Sequence, residues 1–456
     1  MGRLANKLKV DECHDILISE FSKFHDHRPI YEIPLQNFLM SSFAVFALKS
    51  PSLLQFEKDF KQEETTKKAN LKSLFKIDRV PSDTHLRDVL DLVNYDQYRP
   101  VFKRIFSSLQ RSKVLENFEF MKINGLPHYL CAVDGSGYYR SDKISCDCCM
   151  VSEHFDCENT MTIKYGHNIL GASIVHPDLK QVITLCPEPI MRLDGNSKND
   201  SEQTAFRRFL KDFKREHPKL KMVFIFDALY ANGPIIQLLR EYGYEFIIGV
   251  KGTKSLLFLN IKEGERTGET KFHETSFEFG EKIIKTTRMN YRYANNVRLH
   301  QDVDSPFINF VEIFEVTEWI GKNEKPEKEE RHFSFITDIL VTKDNVAKLA
   351  EGGRTRWKIE NETFNTLKNR GYNLEHNYGH GEKNLTHNFI MSMFLAFLVD
   401  QVQELSCYTF KKLIEKFEQK SRLWSKLASG FEWLVFTDWD QFYYRLYYGV
   451  MPPETG

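Results

Sequence analysis

Met222-Val223-Phe224-Ile225-Phe226-Asp227-Ala228-Leu229-Tyr230-Ala231-Asn232-Gly233 is an apolar run of five closed by an aspartate and a turn. A short unbroken apolar run with such a boundary predicts a fully buried strand. A helix is predicted before it, over about 199–216. After it come a helix following Pro234 and a strand over 244–250. Further strands are expected at 128–134, 165–175 and 181–186, rich in β-branched or aromatic residues and bounded by Gly, Pro or Asp. A meander that passes into alternating strands and helices is an α/β pattern.

Around this centre the texture changes. Residues 1–120 read as helical: Ser82-Asp83 followed by Leu86, Val89, Leu90 and Val93 is a capped start with apolar 3–4 spacing. Lys67, Lys68, Lys72, Lys76, Arg79, Lys103, Arg104, Arg111 and Lys113 make this region the candidate DNA-binding module, although each alone suits a solvated helix face. Over 251–342 helical periodicity gives way to alternating segments, predicting a β-rich insertion, with the charged stretch 322–331 as a solvated hairpin tip. The core is expected to resume over 343–400, and a helical C-terminal region over 401–456, where Lys411, Lys412, Lys416, Lys420, Arg422 and Lys426 could touch DNA or only keep the chain soluble. The core's first part is placed at 121–250.

Composition is that of a soluble globular chain: 456 residues, 41% hydrophobic and 28% charged, with 63 basic against 63 acidic side chains. Neutral balance argues against a general DNA-coating protein but allows local basic patches. The N-terminus leads into charged residues rather than a secretory signal, and the longest apolar stretch, 389–399, is too short to span a bilayer. A cytoplasmic protein with no membrane contact is expected.

Three carboxylates carry the chemistry. Asp134 closes the run Tyr129-Leu130-Cys131-Ala132-Val133 and precedes Gly135-Ser136-Gly137; Asp227 closes the second run; Glu360 lies in the helix Arg356-Trp357-Lys358-Ile359-Glu360-Asn361-Glu362-Thr363-Phe364. Carboxylate oxygens suit Mg²⁺ or Mn²⁺, and two such ions can activate a nucleophile and stabilise a leaving oxygen at one phosphodiester. Singly, each has a plainer reading, as a turn aspartate or a surface glutamate. Glu362 competes with Glu360. Trp357, Glu360, Phe364 and Leu367 share a helical stripe expected to face the core, which favours Glu360.

Asp134-Gly135-Ser136-Gly137-Tyr138-Tyr139, His176-Pro177-Asp178, Cys186-Pro187-Glu188-Pro189-Ile190, Asp227-Ala228-Leu229-Tyr230 and Arg356-Trp357-Lys358-Ile359-Glu360-Asn361-Glu362 resemble the DDE transposases of bacterial insertion sequences. The resemblance implies a ribonuclease-H-like mixed sheet with a β-rich insertion before the glutamate. It implies metal-dependent cleavage at transposon ends and strand transfer into target DNA, with Asp134, Asp227 and Glu360 as ligands of Mg²⁺ or Mn²⁺. Arg356 and Lys368 match the basic positions that contact phosphates, and Trp319 in the insertion would stack on a flipped base. The family's tyrosine position falls on Gly353, so that contact would come from elsewhere, for example Tyr372. Lys368 stands one residue later than usual, a rotation of about 100° around an α-helix. Double-stranded DNA is the implied partner, a homodimer the implied state on DNA, and the nucleoid the place of action. The rival readings are a nuclease that does not join strands and a domesticated DNA-binding protein.

Cys146, Cys148, Cys149, His154 and Cys157 crowd between the first two predicted strands. Cys146, Cys149, His154 and Cys157 could give zinc its four N/S ligands, with His167 as a substitute. A reduced, incidental cluster is the alternative.

Overall fold

In the computed structural model, which describes residues 8–61, 65–146, 148–155, 157, 159–191, 201–252, 255–280, 284–300, 304–321 and 325–450, the run Met222–Phe226 is a strand with all five residues buried. It lies inside a twelve-stranded mixed sheet. In chain order the strands are β1 (Glu119–Ile123), β2 (Leu126–Ser141), β3 (Met150–Phe155), β4 (Met161–Val175), β5 (Ile183–Thr184) and β6 (Glu188–Ile190). They continue with β7 (Met222–Phe226), β8 (Glu245–Gly249), β9 (Lys271–Phe279), β10 (Lys285–Arg298), β11 (Phe307–Ile320) and β12 (Pro326–Thr337). The spatial order is β3-β4-β2-β7-β8-β12-β11-β10-β9, with β1 beside β2 and the short β5 and β6 beside β4. Only β2–β7 and β7–β8 pair in parallel. This is the expected α/β class: a ribonuclease-H-like mixed sheet with helical N- and C-terminal regions.

Two local expectations are corrected. Asp134 does not end its strand: β2 loses its β7 neighbour after Ala132 but continues against β4 to Ser141, so Gly135-Ser136-Gly137 is strand rather than turn. The insertion opens with a helix, Leu256–Thr267, which buries Leu257, Phe258 and Ile261. The charged stretch lies at the exposed end of the β11–β12 hairpin, as expected: from Pro326 it pairs with β11, and Lys322–Glu324 lie outside the described residues. The insertion's strands continue the core sheet, because Phe335, Ile336 and Thr337 of β12 pair with Gly249, Ile248 and Ile247 of β8.

The helical regions at the two ends of the chain pack on one another. Ser42 Oγ donates to Ser392 Oγ at 2.9 Å, and the buried Asn70 amide donates to the carbonyls of Phe431 and Leu434. Between them runs Leu385–Ser406, longer than the apolar stretch in its centre. Its 22 residues have the length and apolarity of a membrane span, yet 94% of the most apolar window is buried inside the protein, as in a core helix.

Candidate functional site

Register brings the two aspartates together. Parallel pairing matches Leu130 with Val223, Cys131 with Phe224 and Ala132 with Ile225. Two residues on, Asp134 and Asp227 stand at the same height on neighbouring strands and, by the two-residue alternation of side chains, on the same face. Asp134 accepts the Gly135 N–H at 3.0 Å, and Asp227 accepts the Leu229 N–H at 2.9 Å, which fixes both carboxylates.

The glutamate helix is seated on that face by small residues. Gly171 of β4 is the cross-strand partner of Asp134. A Cβ there would lie 2.8 Å from Phe364 Cζ and 3.7 Å from Ile359 Cδ1, so the helix rests directly on the strand backbone. Two residues along, Ser173 Oγ and Thr363 Oγ1 share a buried hydrogen bond of 3.1 Å. Buried Lys358 adds a clamp: its ammonium donates to the carbonyls of His176, Pro177 and Leu179 at 2.6–2.7 Å. Lys358→Met leaves those carbonyls without their donor and is expected to lower stability by about 2–4 kcal/mol in denaturant unfolding. Wild-type stability in that variant would remove the clamp from the account.

The segment Ile359–Phe364 is π-helical, and the Asn365 N–H donates to the Glu360 carbonyl five residues back. Two expectations change as a result. A π-turn holds one residue more than an α-turn, so it absorbs the extra residue before Lys368 and offsets the 100° rotation. It also breaks the expected core-facing stripe: Phe364 and Leu367 are buried, but Trp357 is 44% exposed and Glu360 faces solvent.

Arg356 joins the carboxylates. Its guanidinium donates to Glu360 at 2.7 Å and to Asp134 at 3.3 Å. Burial first raises the Asp134 carboxyl, to about 6; Arg356 opposes this, and Glu360 and Asp227 add to it. Glu362 instead acts on Lys358, so of the two glutamates Glu360 is the one grouped with the aspartates. Three carboxylates with one shared cation form an oxygen-rich donor set suited to a hard divalent ion. A fourth carboxylate, Glu202, borders them and was not singled out in the sequence. Burial, then Asp134 and Asp227, raise it to about 7.

Beside Asp227 opens a cleft of about 580 Å³ between the core and the insertion. Lys251, Arg331, Arg354, Arg356 and Trp357 line it, four cations and an exposed indole next to a carboxylate. Lys368 is not in its wall and pairs with Glu375 at 2.9 Å. Trp319 is elsewhere. The pairing row Phe226–Ile248–Ile336–Phe310 leads from the Asp227 strand into β11, and Trp319 lies nine residues further, about 30 Å along the strand. There Lys285 covers its ring at 4.0 Å. Tyr372 cannot replace the missing tyrosine: it is buried and donates to Asp400. At Gly353 a Cβ would lie 2.5 Å from the Phe335 ring, so no side chain fits.

The cysteine cluster assembles with different partners from those expected. Among the described residues Cys146, Cys149, His167 and His380 hold their ligand atoms within 4.8 Å of one another. Cys157 is exposed and outside the group, and the side chain of His154 lies outside the described residues. Sγ–Sγ is 3.8 Å, and the Sγ–Nε2 distances are 3.4–3.5 Å. A zinc tetrahedron with bonds of about 2.3 Å to sulfur and 2.0–2.1 Å to nitrogen has edges of about 3.8 and 3.5 Å. His380 belongs to the loop 375–381 that follows the glutamate helix, so that loop contributes to the side-chain cluster.

A protein-family model described as "Transposase DDE domain" matches residues 171–398, half of the chain, taking in Asp227 and Glu360. A search of curated proteins found no match.

Proposed function

Because the chain belongs to the family of transposases with a DDE domain, we propose that it cuts DNA at the ends of a mobile element and joins the freed 3′ ends to target DNA. The observation that carries this reading is the register of Asp134 and Asp227 at equal height on adjacent parallel strands, with Glu360 coupled to Asp134 through Arg356. In this reading Asp134, Asp227 and Glu360 hold divalent metal. Bound Mg²⁺ or Mn²⁺ would supply Lewis-acid stabilisation on both sides of an in-line phosphoryl transfer.

The chain's own groups do the positioning. Rigid strands fix the aspartates, and Gly171 and Lys358 fix the glutamate helix against them. Arg356 occupies the place where cationic charge is wanted and can pass to a phosphate oxygen as a bidentate donor. In the cleft Lys251, together with Arg331 and Arg354 on exchange of their partners Glu329 and Glu315, would give the backbone of a bound strand its counter-charges. Trp357 offers a stacking surface there, whereas Trp319, the indole expected in that role, is remote. Cys146, Cys149, His167 and His380 hold zinc, which ties the loop after the glutamate helix to β4. The DNA-bound form is a homodimer at work in the cytoplasm.

The test is an assay on linear duplex bearing the element's own ends, with Mg²⁺. Cleaved ends followed by joined products are expected. Cleavage without joining would make the protein a nuclease, and binding without metal-dependent cleavage a DNA-binding protein only.

A further inference from the structure

Glu202 is the second residue of a helix start, Ser201-Glu202, where a glutamate ordinarily serves only the helix dipole. Here its side chain turns into the sheet. A Cβ built on Gly135 would lie 2.4 Å from Glu202 Oε1 and 2.5 Å from Cδ, so the carboxylate occupies the space this glycine leaves open. Successive strand residues face opposite sides; Gly135 therefore opens toward the face opposite that of Asp134. Glu360 comes to the aspartates from one face of the sheet and Glu202 from the other. Gln203 Nε2 donates to the Leu229 carbonyl at 2.8 Å, which holds this helix start to the loop after Asp227. Among the described residues no cation or hydrogen-bond donor offsets the Glu202 charge.

An independent observation points to the same place. The hydroxyl of Tyr230, a residue only 1% exposed, has no hydrogen-bond partner among the described residues. Burial, then the nearby charges of Glu202, Asp227 and Asp134, push its phenol far above the usual range. A buried hydroxyl left unsatisfied costs about 1–3 kcal/mol. Water carried by a cation among the carboxylates would satisfy it.

We propose that Glu202 is a fourth metal-holding carboxylate of the site, reaching Mg²⁺ or Mn²⁺ from the sheet face opposite Glu360, with Tyr230 hydrogen-bonded to the ion's water. The inference rests on the metal cage proposed above. Glu202 completes the enclosure of an ion that three carboxylates on one face leave open behind.

The test is Mn²⁺ binding by the full-length protein without DNA, measured by calorimetry and by the electron paramagnetic resonance of free Mn²⁺. Wild type is compared with Glu202→Gln, Gly135→Ala and Asp227→Asn. Gly135 has extended backbone, so alanine is tolerated and its methyl displaces the Glu202 carboxylate without altering any charge. Both Glu202→Gln and Gly135→Ala are expected to weaken Mn²⁺ by about tenfold or more, while melting temperature without metal stays at or above that of wild type. Wild-type affinity in these two with loss in Asp227→Asn would overturn the role of Glu202 and leave the three-carboxylate cage standing. Undiminished binding in Asp227→Asn as well would overturn the cage and this inference with it.

Discussion

Asp227→Asn and Asp134→Asn are each expected to lower the rate of Mg²⁺-dependent strand cleavage by about a thousandfold or more, on the order of 4 kcal/mol of barrier. An amide keeps the shape of the side chain but not the charge that holds a divalent ion. The double variant is expected to be no slower than either single one, because ligands of one metal cage act as a unit. Folding should not suffer. The folded-state carboxyl of Asp134 is raised to about 6, so its ionised form is disfavoured by folding at pH 8, and Asn removes that cost. Thermal unfolding of metal-free Asp134→Asn at pH 8 is therefore expected at or above the wild-type temperature. Cleavage at the wild-type rate, or loss that follows unfolding, would contradict the assignment.

Cys149→Ser is expected to have the largest effect on stability. Wild type should carry about one zinc per chain by mass spectrometry, and the variant none. Structural zinc sites contribute directly to folding free energy, so the melting temperature is expected to fall by on the order of 10 °C. Cys157→Ser serves as the contrast. Cys157 stands exposed and apart from the four clustered side chains, so its replacement should leave zinc content and melting temperature unchanged. Loss of zinc in Cys157→Ser with retention in Cys149→Ser would reverse the ligand assignment.

The two aspartates were legible because each follows five apolar residues, a local signal that needs no knowledge of pairing. What the sequence concealed was how long each strand keeps its neighbours. Asp134 marks the end of only one of two ladders, and nothing in Gly135-Ser136-Gly137 distinguishes a turn from a strand that has lost one partner. The core-facing stripe through Trp357 and Glu360 assumed an α-helical period, and a π-turn changes the phase without leaving a compositional mark. The same turn holds one extra residue before Lys368, where counting had assumed an α-helical period. Spacing points to nearby Cys157 as a metal ligand, whereas the fourth side chain of the cluster comes from His380, 231 residues after Cys149. Glu202 looked like any acidic residue in a first helical turn; only the space above Gly135 sets it apart. Long-range closure, rather than local propensity, separates what was legible from what was not.

Anomalous diffraction at the manganese edge, from crystals of the wild-type chain soaked in Mn²⁺, tests the central claim most directly. Density is predicted between Asp134, Asp227 and Glu360, with Arg356 turned away from the carboxylates. Manganese absent from that position in a protein that still cleaves DNA with Mn²⁺ would contradict it.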